Sequence, residues 1–140
     1  MIQRVQTLWL LAASLCGFLT LKFSFFSGNK LVNNQKLFLS LTATTNILLL
    51  ILTIATAIAS LVIVFLYKDR KMQLRLTLVT ALVSLINIAF FFSETKKFLP
   101  NEGNYDITAF FPFLIPVFLV LAARGIYKDQ KLIKSVDRLR

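Results

Sequence analysis

The stretch ILLLILTIATAIASLVIVFL, Ile47 to Leu66, decides the fold because it contains twenty residues and not one charge. A helix that crosses the hydrocarbon core of a bilayer needs about 20 mainly apolar residues. The polar side chains in the stretch are hydroxyls, and hydroxyls can bond to the helix's own backbone. The stretch therefore predicts a transmembrane helix.

Three further windows have the same character, at residues 5–26, 76–92 and 107–123. The last holds Pro112 and Pro116, which membrane helices tolerate when neighbouring groups satisfy the freed carbonyls, so we expect a kinked span there. The composition agrees, with 57% apolar and 16% charged residues. Soluble domains contain about 45–50% apolar and about 25% charged residues. We predict a single all-α domain, an integral membrane four-helix bundle.

The cations alternate between the two sides that these spans define. Eleven lie before the first span, in the loop at residues 67–75 or in the tail at residues 124–140. Five lie on the other side, namely Lys22 in the last turn of the first span and four lysines in the other two loops. Short loops rich in Lys and Arg stay in the cytoplasm, so both termini are expected on the cytoplasmic side. The net charge of +10 is thereby explained by topology. Nucleic acid is not expected as a partner.

A phrase repeats at the end of the second and fourth spans, as YKDRK at 67–71 and YKDQK at 127–131. A tyrosine at headgroup depth followed by a lysine at a helix C-terminus is typical of a cytoplasmic helix end. Asp69 and Asp129 are predicted to N-cap the helices that follow. The chain then divides into hairpins at 1–71 and 72–140, and both duplication and convergence explain the repeat.

The tail KDQKLIKSVDRLR places Leu132, Val136 and Leu139 at helical spacing, with cations on another face. It predicts a short basic amphipathic helix on the inner leaflet, as a solvated anchor or as a docking element. The cytoplasmic cations are candidate contacts to anionic lipid or to a partner protein. They are Arg4, Lys68, Arg70, Lys71, Arg75, Arg124, Lys128, Lys131, Lys134, Arg138 and Arg140.

The outer loops at residues 27–43 and 93–106 differ in pattern. The first alternates apolar and polar residues through KLFLSLT, which indicates an extended or interfacial segment. The second contains Pro100 and Gly103, which indicate turns. Neither loop is long enough to be a folded outer domain.

Catalytic and metal-binding patterns are missing from the sequence. The chain has no histidine and a single cysteine, Cys16, which excludes an internal disulfide and a Cys/His zinc cluster. No acidic residue falls inside a predicted span, whereas proton-coupled transport and catalysis in membranes use such residues. We expect no enzymatic activity and no cofactor.

Weakly polar residues do occur inside the spans. Spacings of three or four residues between small and hydroxyl side chains are typical of packed membrane helices. The same residues would line a cavity if the protein carried a ligand. They are Asn87 and Ser84 in the third span, and Thr53, Thr56 and Ser60 in the second.

Both ends of the chain, MIQRVQTLWLL and ARGIYKDQKLIKSVDRLR, resemble an uncharacterised bacterial family of short four-span membrane proteins, domain of unknown function 4293. The central YKDRKMQLRL is similar as well. The resemblance implies a four-span fold and an inner-membrane location, and no activity. It maps the polar signatures of the family to Arg4, Lys128, Asp129, Lys131, Asp137 and Arg138.

The sequence favours a non-enzymatic accessory or scaffolding subunit of a larger membrane complex, because the protein is small and has no embedded charge. The alternative is a homo-oligomeric transporter or flippase of small or lipid-linked substrates. That alternative requires a polar cavity in mid-membrane around Asn87 and the stripe of hydroxyls in the second span.

Overall fold

The computed structural model describes residues 2–33 and 35–137. It contains four long helices and a small sheet. The helices are α1 (Ile2–Lys22), α2 (Ile47–Phe65), α3 (Arg70–Thr95) and α4 (Phe110–Asp137). The strands are β1 (Phe26–Val32), β2 (Gln35–Leu41) and β3 (Gly103–Tyr105). Two short 3₁₀ helices, Ala43–Thr45 and Ile107–Ala109, precede α2 and α4.

All four helices are long and apolar enough to cross a membrane. Two extend well beyond the predicted windows, because α3 starts at Arg70 and α4 continues to Asp137. At 1.5 Å per residue, the 28 residues of α4 span about 42 Å, more than the roughly 30 Å of a hydrocarbon core. The helix is therefore long enough for its polar C-terminal turns to extend out of the hydrocarbon core.

The helices pack in a ring in which each contacts its two neighbours. Thus α1 and α3 each lie between α2 and α4. The centre of the bundle is a cluster of buried aliphatic side chains, flanked by Trp9 and Phe118, whose rings stack with centroids 5.6 Å apart. The cluster includes Leu10, Ala13, Ile63, Ala81, Ile115, Leu119 and Ala122.

Small residues bring α1 and α2 into close contact. A Cβ added to Gly17 would lie 2.8 Å from the Cβ of Ala57, which is too close for two carbon atoms. Beside it, the Ser14 hydroxyl donates a hydrogen bond to the Ala57 carbonyl at 3.0 Å. Close backbone approach through small residues, with a hydroxyl bond across the interface, is how helices pack in lipid.

The sheet corrects the expectation of an all-α fold. Its order is β2-β1-β3, and both pairings are antiparallel, with Ser27 opposite Ser40 on one side and Asn104 on the other. The first outer loop is extended, as its alternation predicted, and supplies β1 and β2. The second outer loop supplies β3, so the two loops fold together although neither is long enough to fold alone.

An aromatic layer joins the sheet to the helices. Phe25, just before β1, is 2% exposed, and its ring lies 4.8 Å from that of Phe91. On the other side, Phe26 packs edge-on against Phe98 and Tyr105, with centroids 5.2 and 5.1 Å away. These contacts fix the sheet to one end of the bundle, hereafter the sheet end. The opposite end, where α2 ends and α3 begins, is hereafter the basic end.

The tail does not form a separate helix. The prediction of a short interfacial helix after a break at Asp129 was wrong, because α4 runs without interruption from Phe110 to Asp137 and through Pro116. A residue can N-cap a helix only where the preceding helix has ended. Asp129 lies well inside α4 and is not a cap.

Candidate functional site

The described cations of the basic end form an exposed surface, apart from Arg70, which is partly buried. The side chains of Tyr67 and Tyr127 are exposed as well, by 62% and 60%. Arg138 and Arg140 lie outside the described residues, as do the side chains of Arg4 and Lys134. The exposed cations are Lys68, Lys71, Arg75, Arg124, Lys128 and Lys131.

A buried polar cluster lies beneath this surface and is hereafter the Asp129 cluster, formed by Gln6, Arg70 and Asp129. Asp129 is only 5% exposed. Its Oδ2 accepts a hydrogen bond from Gln6 Nε2 at 2.6 Å and lies 3.5 Å from an Arg70 guanidinium nitrogen. The cluster thereby connects α1, α3 and α4 through one carboxylate. A buried carboxylate requires such partners, because burial of an unpaired charge is costly.

Gly125 makes room for the cluster one turn before Asp129. A Cβ at this position would lie 2.7 Å from Gln6 Cγ. Glycine therefore allows the Gln6 side chain to lie against α4 and to reach Asp129. Nothing in the local sequence marked Gln6 or Gly125, since the partners are more than 100 residues apart.

The first copy of the repeated phrase behaves as predicted. Asp69 is the N-cap of α3, and its side chain accepts a hydrogen bond from the Met72 backbone N–H at 3.3 Å. Nearby, the buried Gln73 side chain donates to the Ile63 carbonyl at 3.1 Å and so satisfies a carbonyl near the end of α2. The two copies of the phrase thus have different roles, with Asp69 capping a helix and Asp129 joining three helices.

The predicted polar stripe is buried and bonded within the bundle. Thr53 and Thr56 donate to the carbonyls of Leu49 and Thr53, at 2.7 and 2.9 Å. Ser60 and Ser84 likewise bond to carbonyls of their own helices. These are contacts of packed helices, and they satisfy the hydroxyl donors.

Asn87 joins the stripe across the interface between α2 and α3. Its Nδ2 donates to Thr53 Oγ1 at 3.0 Å, and the residue is 2% exposed. Its Oδ1 is buried and accepts no hydrogen bond from the described residues. The groove of about 350 Å³ on this side of the bundle is lined by other residues, chiefly Ala55, Ala59, Val62 and Leu76.

The acids of the sheet end are mostly paired with lysines. Glu94 accepts hydrogen bonds from Lys97 Nζ at 2.6 Å and from Asn46 Nδ2 at 2.8 Å. Glu102 accepts from Lys36 Nζ and from Asn29 Nδ2, at 2.6 and 3.1 Å. These two hydrogen bonds, the one from Lys36 first, hold the pKa of the Glu102 carboxyl below the usual range of glutamate.

Asp106 is the remaining acid of the sheet end, and sequence reasoning did not single it out. Its Oδ2 accepts hydrogen bonds from the hydroxyls of Ser24 and Ser27, the latter at 2.6 Å. The carboxylate borders a groove of about 420 Å³ whose other walls are largely aromatic. An acid three residues before the aromatic run AFFPF was the available signal.

Comparison with known protein families finds a match over residues 2–139 to a family described as a domain of unknown function (DUF4293). The chain belongs to the DUF4293 family. No curated protein and no solved structure matches it. The resemblance seen at the two ends of the sequence is confirmed, and in this DUF4293 protein the match includes the basic end, the sheet end and the whole Asp129 cluster.

Proposed function

We propose that this DUF4293 protein is a non-enzymatic accessory or scaffolding subunit of a larger membrane protein complex. The observation that supports this most is strand β2, which lies at the edge of the sheet and exposes every residue except Leu41. Unpaired edge strands are templates for pairing with other chains, and natural proteins protect them.

Three of the six exposed side chains of β2 are large and apolar. Leu37, Phe38 and Leu39 are 44%, 72% and 41% exposed. Successive side chains of a strand point to opposite faces, so β2 presents apolar groups on both. An apolar edge of this kind fits burial against another polypeptide.

The polar groups in the bundle support the same proposal. The described hydroxyls of the stripe are bonded to carbonyls, and the buried carboxylate of the Asp129 cluster is paired. Such contacts stabilise helix packing and leave the outer surfaces of the bundle for association.

We also propose that the basic end faces the cytoplasm in a bacterial inner membrane, with both termini on that side. Lys and Arg are concentrated at this end, as the positive-inside rule requires of a cytoplasmic face. Its exposed cations would bind anionic lipid of the inner leaflet, with about 1 kcal/mol for each residue near the surface.

Affinity purification of the tagged full chain in mild detergent tests the proposed subunit. We expect a stoichiometric larger membrane protein to co-purify with the wild type and to be lost with Phe38→Lys. Phe65→Lys is the matched control, because Phe65 is also 72% exposed but lies at the end of α2. Purification of both the wild type and the variants as lone chains would contradict the proposal.

A homo-oligomeric transporter or flippase is the second candidate, and the unpaired Oδ1 of Asn87 favours it. A buried amide oxygen without a donor is costly unless a water or a substrate reaches it. We would place Asn87→Cys in a Cys16→Ala background and treat membranes with a water-soluble thiol reagent. Rapid reaction would support a hydrated cavity at this depth, and no reaction would support packing.

A further inference from the structure

Asp106 differs from the other described acids of the sheet end in having no cationic partner. Glu94 and Glu102 each have a lysine Nζ 2.6 Å from a carboxylate oxygen. No described Lys or Arg lies within ion-pair distance of Asp106. An unpaired carboxylate at an end that also carries five lysines requires a physical reason.

The carboxylate is held in place from one side. Ser24 and Ser27 both donate to Oδ2, and the Asp106 backbone N–H donates to the Phe25 carbonyl at 3.2 Å. The Thr108 hydroxyl bonds to the Ser24 carbonyl at 2.5 Å and ties the same turn to the end of α1. No described residue donates a hydrogen bond to Oδ1. One oxygen is therefore fixed by the protein, and the other remains available as an acceptor.

The groove beside Asp106 is built from aromatic rings. Phe25 and Phe92 meet edge-on at 5.8 Å, and Phe92 lies 5.9 Å from Phe113 and 6.3 Å from Tyr105. Phe113 and Tyr105 keep 41% and 57% of their surface exposed. A cation bound between a carboxylate and aromatic faces is attracted to both.

The ends of membrane-spanning helices lie near the lipid headgroups, and the groove lies at such an end. It is formed where α3 ends and α4 begins, and aromatic residues favour this interfacial level. Ile107, Phe110 and Phe113 line the groove and are 92%, 47% and 41% exposed, and a contiguous apolar surface of this kind fits contact with lipid. A ligand from the membrane can thus place its acyl chains along α4 and its headgroup against Asp106.

We infer that the groove formed by Phe92, Tyr105, Asp106 and Phe113 binds a phospholipid with a primary ammonium headgroup. The carboxylate matches the charge of the headgroup. A primary ammonium can also donate a hydrogen bond to the free Oδ1, which a quaternary ammonium cannot do. The site is thereby selective for ethanolamine-type over choline-type lipids. This inference does not depend on the proposed role as a subunit.

Native mass spectrometry of the full chain in detergent tests the site. The probes are phosphatidylethanolamine and phosphatidylcholine with identical acyl chains. We expect the ethanolamine lipid to bind about tenfold tighter, the effect of one charge-assisted hydrogen bond at a partly exposed site. In Asp106→Asn, this preference should disappear. Equal binding of the two lipids by the wild type would overturn the inference.

Two variants separate binding from folding. Glu102→Gln removes another acid of the sheet end and should keep the preference, whereas a loss of preference here would show that net charge alone decides. Phe113→Leu leaves Asp106 in place, and we expect it to weaken both lipids while keeping their order. If Asp106→Asn proves too unstable to purify, unchanged affinity of Phe113→Leu for both lipids overturns the site.

Discussion

Arg70 and Asp129 lie 3.5 Å apart and join the first residue of α3 to the interior of the polar part of α4. Asp129 belongs to a phrase that looks like a helix start, yet it is a buried link between helices. The carboxylate also accepts a hydrogen bond from Gln6, so α1 shares it. Removal of Arg70 therefore tests how much this ion pair stabilises the bundle.

Arg70→Met should destabilise the bundle, because it leaves the buried carboxylate with one neutral donor. We expect the free energy of unfolding to fall by an amount between the roughly 0–1 kcal/mol of an exposed ion pair and the roughly 3–5 kcal/mol of a fully buried one. Unfolding in detergent micelles measures it. Arg75→Met is the matched control on an exposed position of the same helix. Equal losses from the two variants would show that the pair contributes nothing specific.

Ala57→Leu should separate α1 from α2. Ala57 is fully buried against Gly17, and overpacking of a tight interface costs about 1–3 kcal/mol. Ala89→Leu makes the same change at an exposed position on α3 and should be close to neutral. The thermal midpoints of unfolding of the two variants check this. A midpoint for Ala89→Leu that is lower than the midpoint for Ala57→Leu would contradict the close contact between α1 and α2.

Asn87→Leu should change the free energy of unfolding by less than about 1 kcal/mol, because interhelical hydrogen bonds in membranes average roughly 0.6 kcal/mol. The change also removes the unpaired Oδ1. Asn87→Ala should cost more, since it loses the same bond to Thr53 and leaves a cavity as well. A loss well above about 1 kcal/mol in Asn87→Leu would mean that the amide is needed for more than packing.

Acid should loosen the junction between β1 and β3. The pKa of Glu102 is lowered in the folded chain by the hydrogen bonds from Lys36 and Asn29. The contribution of these bonds is complete above the ordinary pKa of glutamate and is lost as the pH falls through the lowered value. Hydrogen exchange of the Asn29 amide, which bonds to the Glu102 carbonyl, should accelerate over that range relative to neighbouring amides. Glu102→Gln should abolish the pH dependence of this exchange. If the pH dependence persists in the variant, a group other than Glu102 causes it.

The helices were predictable because each depends on a continuous apolar run. The Ile47–Leu66 stretch contains the whole of α2, and Asp69 caps α3 through a bond to a residue three positions away. Both features are local. Hydropathy and capping patterns describe local relationships, so they identify such elements.

The sheet and the Asp129 cluster depend on partners far apart in the sequence. β1 pairs with β3 across more than 70 residues, and the pairing needs Gly28 opposite Gly103, where a Cβ on Gly28 would lie 2.7 Å from the Gly103 Cα. Asp129 and Asp69 have nearly the same neighbours in the sequence. They differ because α2 ends before Asp69, whereas no such break precedes Asp129 and Gln6 and Arg70 meet it from two other helices.

Cysteine labelling from outside the cell tests most directly that this chain crosses a membrane four times with its basic end inside. In a Cys16→Ala background, Asn104→Cys probes the sheet end and Lys71→Cys probes the basic end, both at exposed positions. With a membrane-impermeant reagent and intact cells, we expect reaction at 104, and at 71 only after permeabilisation. Reaction at 71 in intact cells would contradict the account.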